Sequence, residues 1–174
     1  MLHTSNSSVP ERGFKPHAGW VFRSFPRIVA FGFGSGLLRP APGTWGTLAG
    51  WLLWFVAVSR LPDTLIGVVL ALSFALGCWV CHRTGKEMGQ PDHGGMVWDE
   101  IVAFWIVLWL TPSAIEAQVV AFVLFRAFDI VKPPPIRYFD RHLKNGFGVM
   151  WDDILAAVYS LLVVAVLVRF GLLG

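Results

Sequence analysis

Charge is scarce in this chain. Its 174 residues include 14 Lys or Arg and 11 Asp or Glu, a charged fraction of 14%, where an average soluble domain has about a quarter. Apolar residues make up 55% and the mean hydropathy is +0.61. That balance excludes an ordinary soluble domain with a large core and indicates a protein of the bilayer. The net charge is only +3 and the basic residues lie mostly outside the apolar runs, so no nucleic-acid partner is expected. Two cysteines, Cys78 and Cys81, are too few for a disulfide framework. Residues 1–19 are polar and contain no apolar core, so a disordered tail and no cleavable signal are expected there. No internal repeat or low-complexity tract is visible. Residues 20–174 are expected to form one membrane-embedded domain.

What is present is a series of apolar runs. A spanning helix needs about 20 mostly apolar residues. Residues 44–61, 64–82, 97–110, 114–131 and 152–170 are the candidate spans, the third of them short. Thr44 is placed to cap the first, after the rigid Arg39-Pro40-Ala41-Pro42-Gly43 turn. Polar loops are expected over 83–95 and 132–151. Trp20–Leu38 mixes aromatics with Arg23 and Arg27 and is broken by Pro26 and three glycines, which suits a segment lying in the interface. The expected fold is therefore all-α: a polytopic membrane bundle of four to five transmembrane helices with an interfacial N-terminal segment.

The basic residues orient it. With the N-terminus inside and five crossings, every Lys and Arg except Arg60 and Arg169 is cytoplasmic, as the positive-inside rule requires. The same topology gathers the acidic clusters and both long loops on that face. Cys78-Trp79-Val80-Cys81-His82 has the spacing of haem attachment, but it ends a membrane helix on the cytoplasmic side. Packing cysteines are the better reading, and no haem is expected.

Asp99-Glu100 and Asp152-Asp153 each open an apolar run and Asp129 closes another. One such pair would read as a helix start complementing the dipole. Two pairs and a fifth carboxylate at one membrane face read as a divalent-metal site. Arg126 and Asp129 share a helix face. They either pair with each other, with Lys132 reaching the headgroups, or Arg126 and Lys132 bind phosphate while Asp129 holds metal. Gly43 and Thr44, at a helix start, can offer donors to an anion. Asp92 and His93 are alternative bases for water, although a loop histidine is most often a solvated side chain. Neither cysteine is followed by a suitably spaced Arg, and the chain has no Asp-x-Asp pair and no Gly-x-Ser-x-Gly elbow. Among phosphatase chemistries, metal-assisted attack by water remains.

Four segments carry a resemblance: Ala41-Pro42-Gly43-Thr44-Trp45-Gly46, Asp92-His93-Gly94-Gly95-Met96-Val97-Trp98-Asp99-Glu100, Phe125-Arg126-Ala127-Phe128-Asp129-Ile130-Val131-Lys132-Pro133 and Gly146-Phe147-Gly148-Val149-Met150-Trp151-Asp152-Asp153. In order and spacing they resemble the phosphatidylglycerophosphatase A family, from about Phe31 to the last helix. Pro134, Asn145 and Thr47 depart from the family's usual Trp, Gly and Ser; none is a carboxylate. The resemblance implies a bacterial inner-membrane enzyme, its site facing the cytoplasm, that uses Mg²⁺ to hydrolyse phosphatidylglycerophosphate to phosphatidylglycerol and phosphate. Asp99, Glu100, Asp129, Asp152 and Asp153 are then the candidate metal ligands, and Arg126, Lys132, Gly43 and Thr44 the phosphate contacts. The alternative from another class is an ion or metal transporter using the acidic helix ends. It would need ionisable groups deep within the spans, where there are almost none.

Overall fold

The computed structural model describes residues 14–173, in which every regular element is helical and there is no strand. The helices are α1 (Ala18–Val21), α2 (Phe25–Ala30), α3 (Pro42–Val56), α4 (Asp63–Met88), α5 (Trp98–Leu110), α6 (Ile115–Val131), α7 (Ile136–His142) and α8 (Gly146–Arg169). α5 and α8 form the centre. α8 packs on α4, α5, α6 and α7, while α5 also receives α3. α5 is buried along most of its length.

α3 starts with Pro42 in the first helical position, where its preset φ and missing N–H do no harm. The expected cap at Thr44 is not formed. Thr44 lies inside the first turn, its N–H donating to the Ala41 carbonyl at 3.0 Å, and Ala41 occupies the cap position in a left-handed conformation. Gly43, Gly46 and Gly50 recur on one face of α3, and α5 is seated against it. A Cβ at Gly46 would overlap Val97, and one at Gly50 would press on the Ile101 backbone. Small residues let helix backbones approach where no water drives them together. The indole N–H of Trp105 donates to the Gly50 carbonyl at 2.7 Å and locks the pair.

Two boundaries differ from the expectation. α4 continues past His82 to Met88, because Arg83, Lys86 and Glu87 favour helix and Glu87 is held by Arg83 (3.3 Å) and Arg27 (2.7 Å). Gly89, left-handed, ends it in a Schellman closure, with Gly89 N–H on the Lys86 carbonyl and Gln90 N–H on that of Gly85. α8 begins at Gly146 and not at Asp152. Asn145 is its cap, its side-chain oxygen accepting the Gly148 N–H at 2.9 Å. The Gly146-Phe147-Gly148 run reads locally as loop. Packing overrides that, because a Cβ at Gly146 would overlap the Cys78 carbonyl and crowd His82 of α4.

By length and composition two helices, α4 and α8, can cross a membrane. α3 stops at Val56, where Ala57 leaves helical geometry and a short 3₁₀ turn follows. At 15, 13 and 17 residues, α3, α5 and α6 fall short of the roughly 20 residues that a full span takes. Of the four to five transmembrane helices expected from the apolar runs, α4 and α8 meet this measure among the described residues.

Most of the 1–19 tail expectation lies outside the described residues. From Phe14 onward the chain is packed: Phe14 meets the Trp20 ring at 5.0 Å, and the Arg27 guanidinium lies 4.0 Å from it. The glycine-rich Gly32–Leu37 turn, with positive φ at Gly32, Phe33 and Gly34, presents no free amides at Gly34 or Gly36, whose N–H groups both donate to the Phe31 carbonyl. It abuts the Gly95 carbonyl and so ties the 89–97 loop to the start of α3.

Candidate active site

The five carboxylates singled out in the sequence share one end of the bundle with both candidate cations. They are divided between two ion-pair groups. In the first, Arg126 of α6 donates through Nη1 to Glu100 of α5 (3.3 Å) and to the Thr47 hydroxyl of α3 (3.3 Å), and forms an ion pair with Asp129 at 2.9 Å. Thr47 in turn donates to the Gly43 carbonyl at 2.8 Å. All three charged side chains are only 12–13% exposed. Gly43 has no room for a side chain here, since a Cβ would overlap the Glu100 carboxylate.

In the second group Lys132, left-handed at the end of α6, reaches across to Asp152 of α8 and to Asp140 of α7, the latter at 2.8 Å. Burial disfavours the charge on Lys132, but these two carboxylates outweigh it and hold its pKa above the ordinary lysine value. Asp140 is held low despite its partial burial, mainly by Lys132 and then Lys144. Lys144 stands 3.8 Å from Asp140 and 3.7 Å from Asp92, linking the 89–97 loop to the start of α8.

Among the described residues, neither Asp99 nor Asp153 forms an ion pair with a basic side chain. Asp99 Oδ1 accepts the Glu100 N–H at 3.0 Å. Asp99, Asp152 and Asp153 are 8%, 5% and 3% exposed. Five buried or nearly buried carboxylates therefore face two cations, and buried charge on this scale is untenable unless protons or a further cation balance it. One oxygen each of Glu100, Asp152 and Asp153, and Nε of Arg126, are buried without a hydrogen-bond partner. Among the described residues, no three Asp, Glu, His or Cys side chains already converge on a single metal-coordinating point.

His93 accepts the Gly95 N–H through Nδ1 at 3.0 Å. Burial, and then Arg39, lower its pKa. A neutral ring bonded in this way carries its proton on Nε2. Among the described residues, the Thr44 hydroxyl forms no hydrogen bond with the charged groups, whereas Thr47 does. Asp140, Lys144 and Thr47 entered the site unforeseen, Thr47 having been read only as a departure from a family pattern. Nothing local marks Asp140 as the partner of Lys132; the turn of chain between them does that.

The sequence profile of the family described as phosphatidylglycerophosphatase A matches residues 28–168. A Haemophilus influenzae protein named phosphatidylglycerophosphatase A is 53% identical over 138 residues, covering 79% of this chain and 85% of its own. One of the same name from Escherichia coli is 46% identical over 134 residues, covering 76% and 77%. A Bacteroides thetaiotaomicron protein, provisionally named a phosphatidylinositol-3-phosphatase, is 38% identical over 149 residues, covering 81% and 92%. No solved structure matches the chain.

Proposed function

The chain belongs to the phosphatidylglycerophosphatase A family and is a phosphoric monoester hydrolase, and on that premise we propose that it releases the terminal phosphate of phosphatidylglycerophosphate, leaving phosphatidylglycerol, at the carboxylate cluster. The observation that supports this placement is the position of Asp152 and Asp153. They are the seventh and eighth residues of α8, past the first turn, whose orphan N–H groups a carboxylate could cap, and Asn145 fills the cap position. Helix capping therefore gives no account of them, whereas a charge-binding site does.

Asp99, Glu100, Asp129, Asp152 and Asp153 would hold Mg²⁺. The donors are hard oxygens, as Mg²⁺ prefers, and unpartnered oxygens remain on three of them. When bound, the ion would add positive charge beside the phosphoryl oxygens and acidify a coordinated water. The rest falls to the chain's own groups. Arg126 has its buried Nε–H free for a phosphoryl oxygen, while Glu100, Asp129 and Thr47 fix the guanidinium plane. Lys132 supplies a point charge, held in place by Asp140 and Asp152. As base for the water, Asp92 fits better than His93, because the histidine tautomer described above leaves a donor, not an acceptor, at Nε2.

The reaction would occur at the cytoplasmic face of a bacterial inner membrane, in a bundle crossing it four to five times. The outward faces of α3, α4, α6 and α8 are lined with Leu, Val, Ile and Phe, as lipid contact requires. The transporter alternative gains no support, since every named relative is a phosphatase.

Purified protein in detergent should release phosphate from phosphatidylglycerophosphate. EDTA should abolish the release and Mg²⁺ restore it. Full activity in excess EDTA would refute the metal assignment. Single cysteines placed in the 89–97 and 132–145 loops of a Cys78/Cys81-free variant should resist an impermeant thiol reagent applied to intact cells; labelling from outside would reverse the orientation.

A further inference from the structure

We propose that the cleft between α3 and α6 holds an acyl chain of the substrate lipid, a reading that rests on the lipid-phosphatase function above. α3 packs on α5, and α6 packs on α5 and α8, so a cleft is left between α3 and α6 with α5 as its floor. Its outer part is an apolar groove of about 380 Å³, lined by Leu48, Trp51, Leu52 and Phe55 of α3 and by Ile115 and Gln118 of α6.

The groove lies on the same helix faces as the charged site, and Trp51 meets Gln118 and Phe122 between the two. On α6, Ile115, Gln118, Phe122, Arg126 and Asp129 follow one another at spacings of three and four, hence on one helix face. On α3, Thr47, Trp51 and Phe55 do the same. Thr47 hydrogen-bonds Arg126 at the charged end. Further along, Trp51 stacks on Phe122 with ring centroids 5.7 Å apart and donates its N–H to Gln118 at 2.8 Å. One surface thus carries a guanidinium at its head and bare hydrocarbon beyond it: Leu52, Phe55 and Ile115 are more than 60% exposed. Arg126 and Ile115 are about 16 Å apart along the helix axis, at roughly 1.5 Å per residue. A phospholipid has the same shape, with phosphate at one end and a chain of comparable length.

Two other apolar grooves lack this arrangement. One of about 510 Å³ lies where the end of α5 meets the last turns of α8, by Arg169. Another, of about 450 Å³, is lined by Trp151 and Ile154, which lie on the face of α8 turned away from Asp152 and Asp153.

Leu48→Trp and Leu52→Trp add bulk to exposed positions of the groove and leave the charged groups untouched. Leu72→Trp does the same on the outward face of α4 and serves as the control. Phosphate release is measured with dipalmitoyl and dihexanoyl phosphatidylglycerophosphate in the same detergent. The groove variants should lose at least tenfold in kcat/KM on the dipalmitoyl lipid, stay within twofold of the parent on the dihexanoyl one, and the control should change neither. Equal response to the two lipids, or an equal effect of Leu72→Trp, would overturn the acyl-chain site while leaving the phosphatase reading intact. A parent enzyme that releases phosphate from neither lipid would overturn both.

Discussion

α4 and α8 are the two helices long and apolar enough to cross a bilayer, yet they carry charge differently. α4 keeps Asp63 in its first turn and Arg83, Lys86 and Glu87 towards its end, with no charged residue between Thr64 and His82. α8 buries Asp152 and Asp153 against α5, α6 and α7. Dipole and water account for the α4 pattern, since charges at helix ends are solvated and favourably placed. Neither is available to Asp152 and Asp153. A buried carboxylate costs several kcal/mol unless it is neutralised, and ionisable groups held in such places mark function. The lesson is that two helices of similar length and hydropathy differ in role by the depth of their carboxylates.

The strongest way to break that comparison is to remove one negative charge from each helix. Asp153→Asn should lower phosphatase activity by a factor on the order of a hundred or more while insertion and helix content stay unchanged. Glu87→Gln on α4 should stay within about threefold. Full activity of Asp153→Asn at low Mg²⁺, measured beside a circular-dichroism spectrum, would leave the buried carboxylate of α8 without a catalytic part.

Arg126→Ala sharpens the contrast from the cation side. We expect kcat/KM to fall by on the order of a hundredfold, with a stability loss of about 3–5 kcal/mol because Glu100 and Asp129 are left unpaired. A variant less stable in thermal unfolding yet within twofold of the parent in kinetics would assign Arg126 to an internal ion pair alone.

The smallest effect tests the cap that displaced the aspartates from the helix start. Asn145→Ala should cost about 1 kcal/mol in denaturant unfolding, and Asn145→Asp almost nothing. If Asn145→Ala were silent while Asp152→Ala destabilised the start of α8 and Asp152→Asn did not, capping would return to the aspartates.

Much of the helical pattern was legible in the chain. The break between the 97–110 and 114–131 runs falls between α5 and α6, and Asp99-Glu100 does open a helix. The start of α8 was not legible, because Gly146 and Gly148 argue for loop locally and are helical only through the close approach of α4. The end of α4 was misplaced for a related reason. Polarity marks where a helix leaves apolar surroundings, not where its hydrogen bonds stop. In the site, the set of carboxylates and cations could be read from composition at the ends of apolar runs. Asp140 and Thr47 could not, being ordinary polar residues far in sequence from the groups they touch.

By itself the sequence determined the all-helical class, the apolar surroundings and the family, because scarcity of charge, hydrophobic runs and ordered motifs are properties of neighbouring residues. Only the tertiary structure decided which cation holds which carboxylate, that Asn145 and not Asp152 caps α8, and that Trp51 and Arg126 bridge α3 and α6 over α5. Those outcomes depend on contacts between residues tens of positions apart, and they follow from how closely glycine-faced helices can approach.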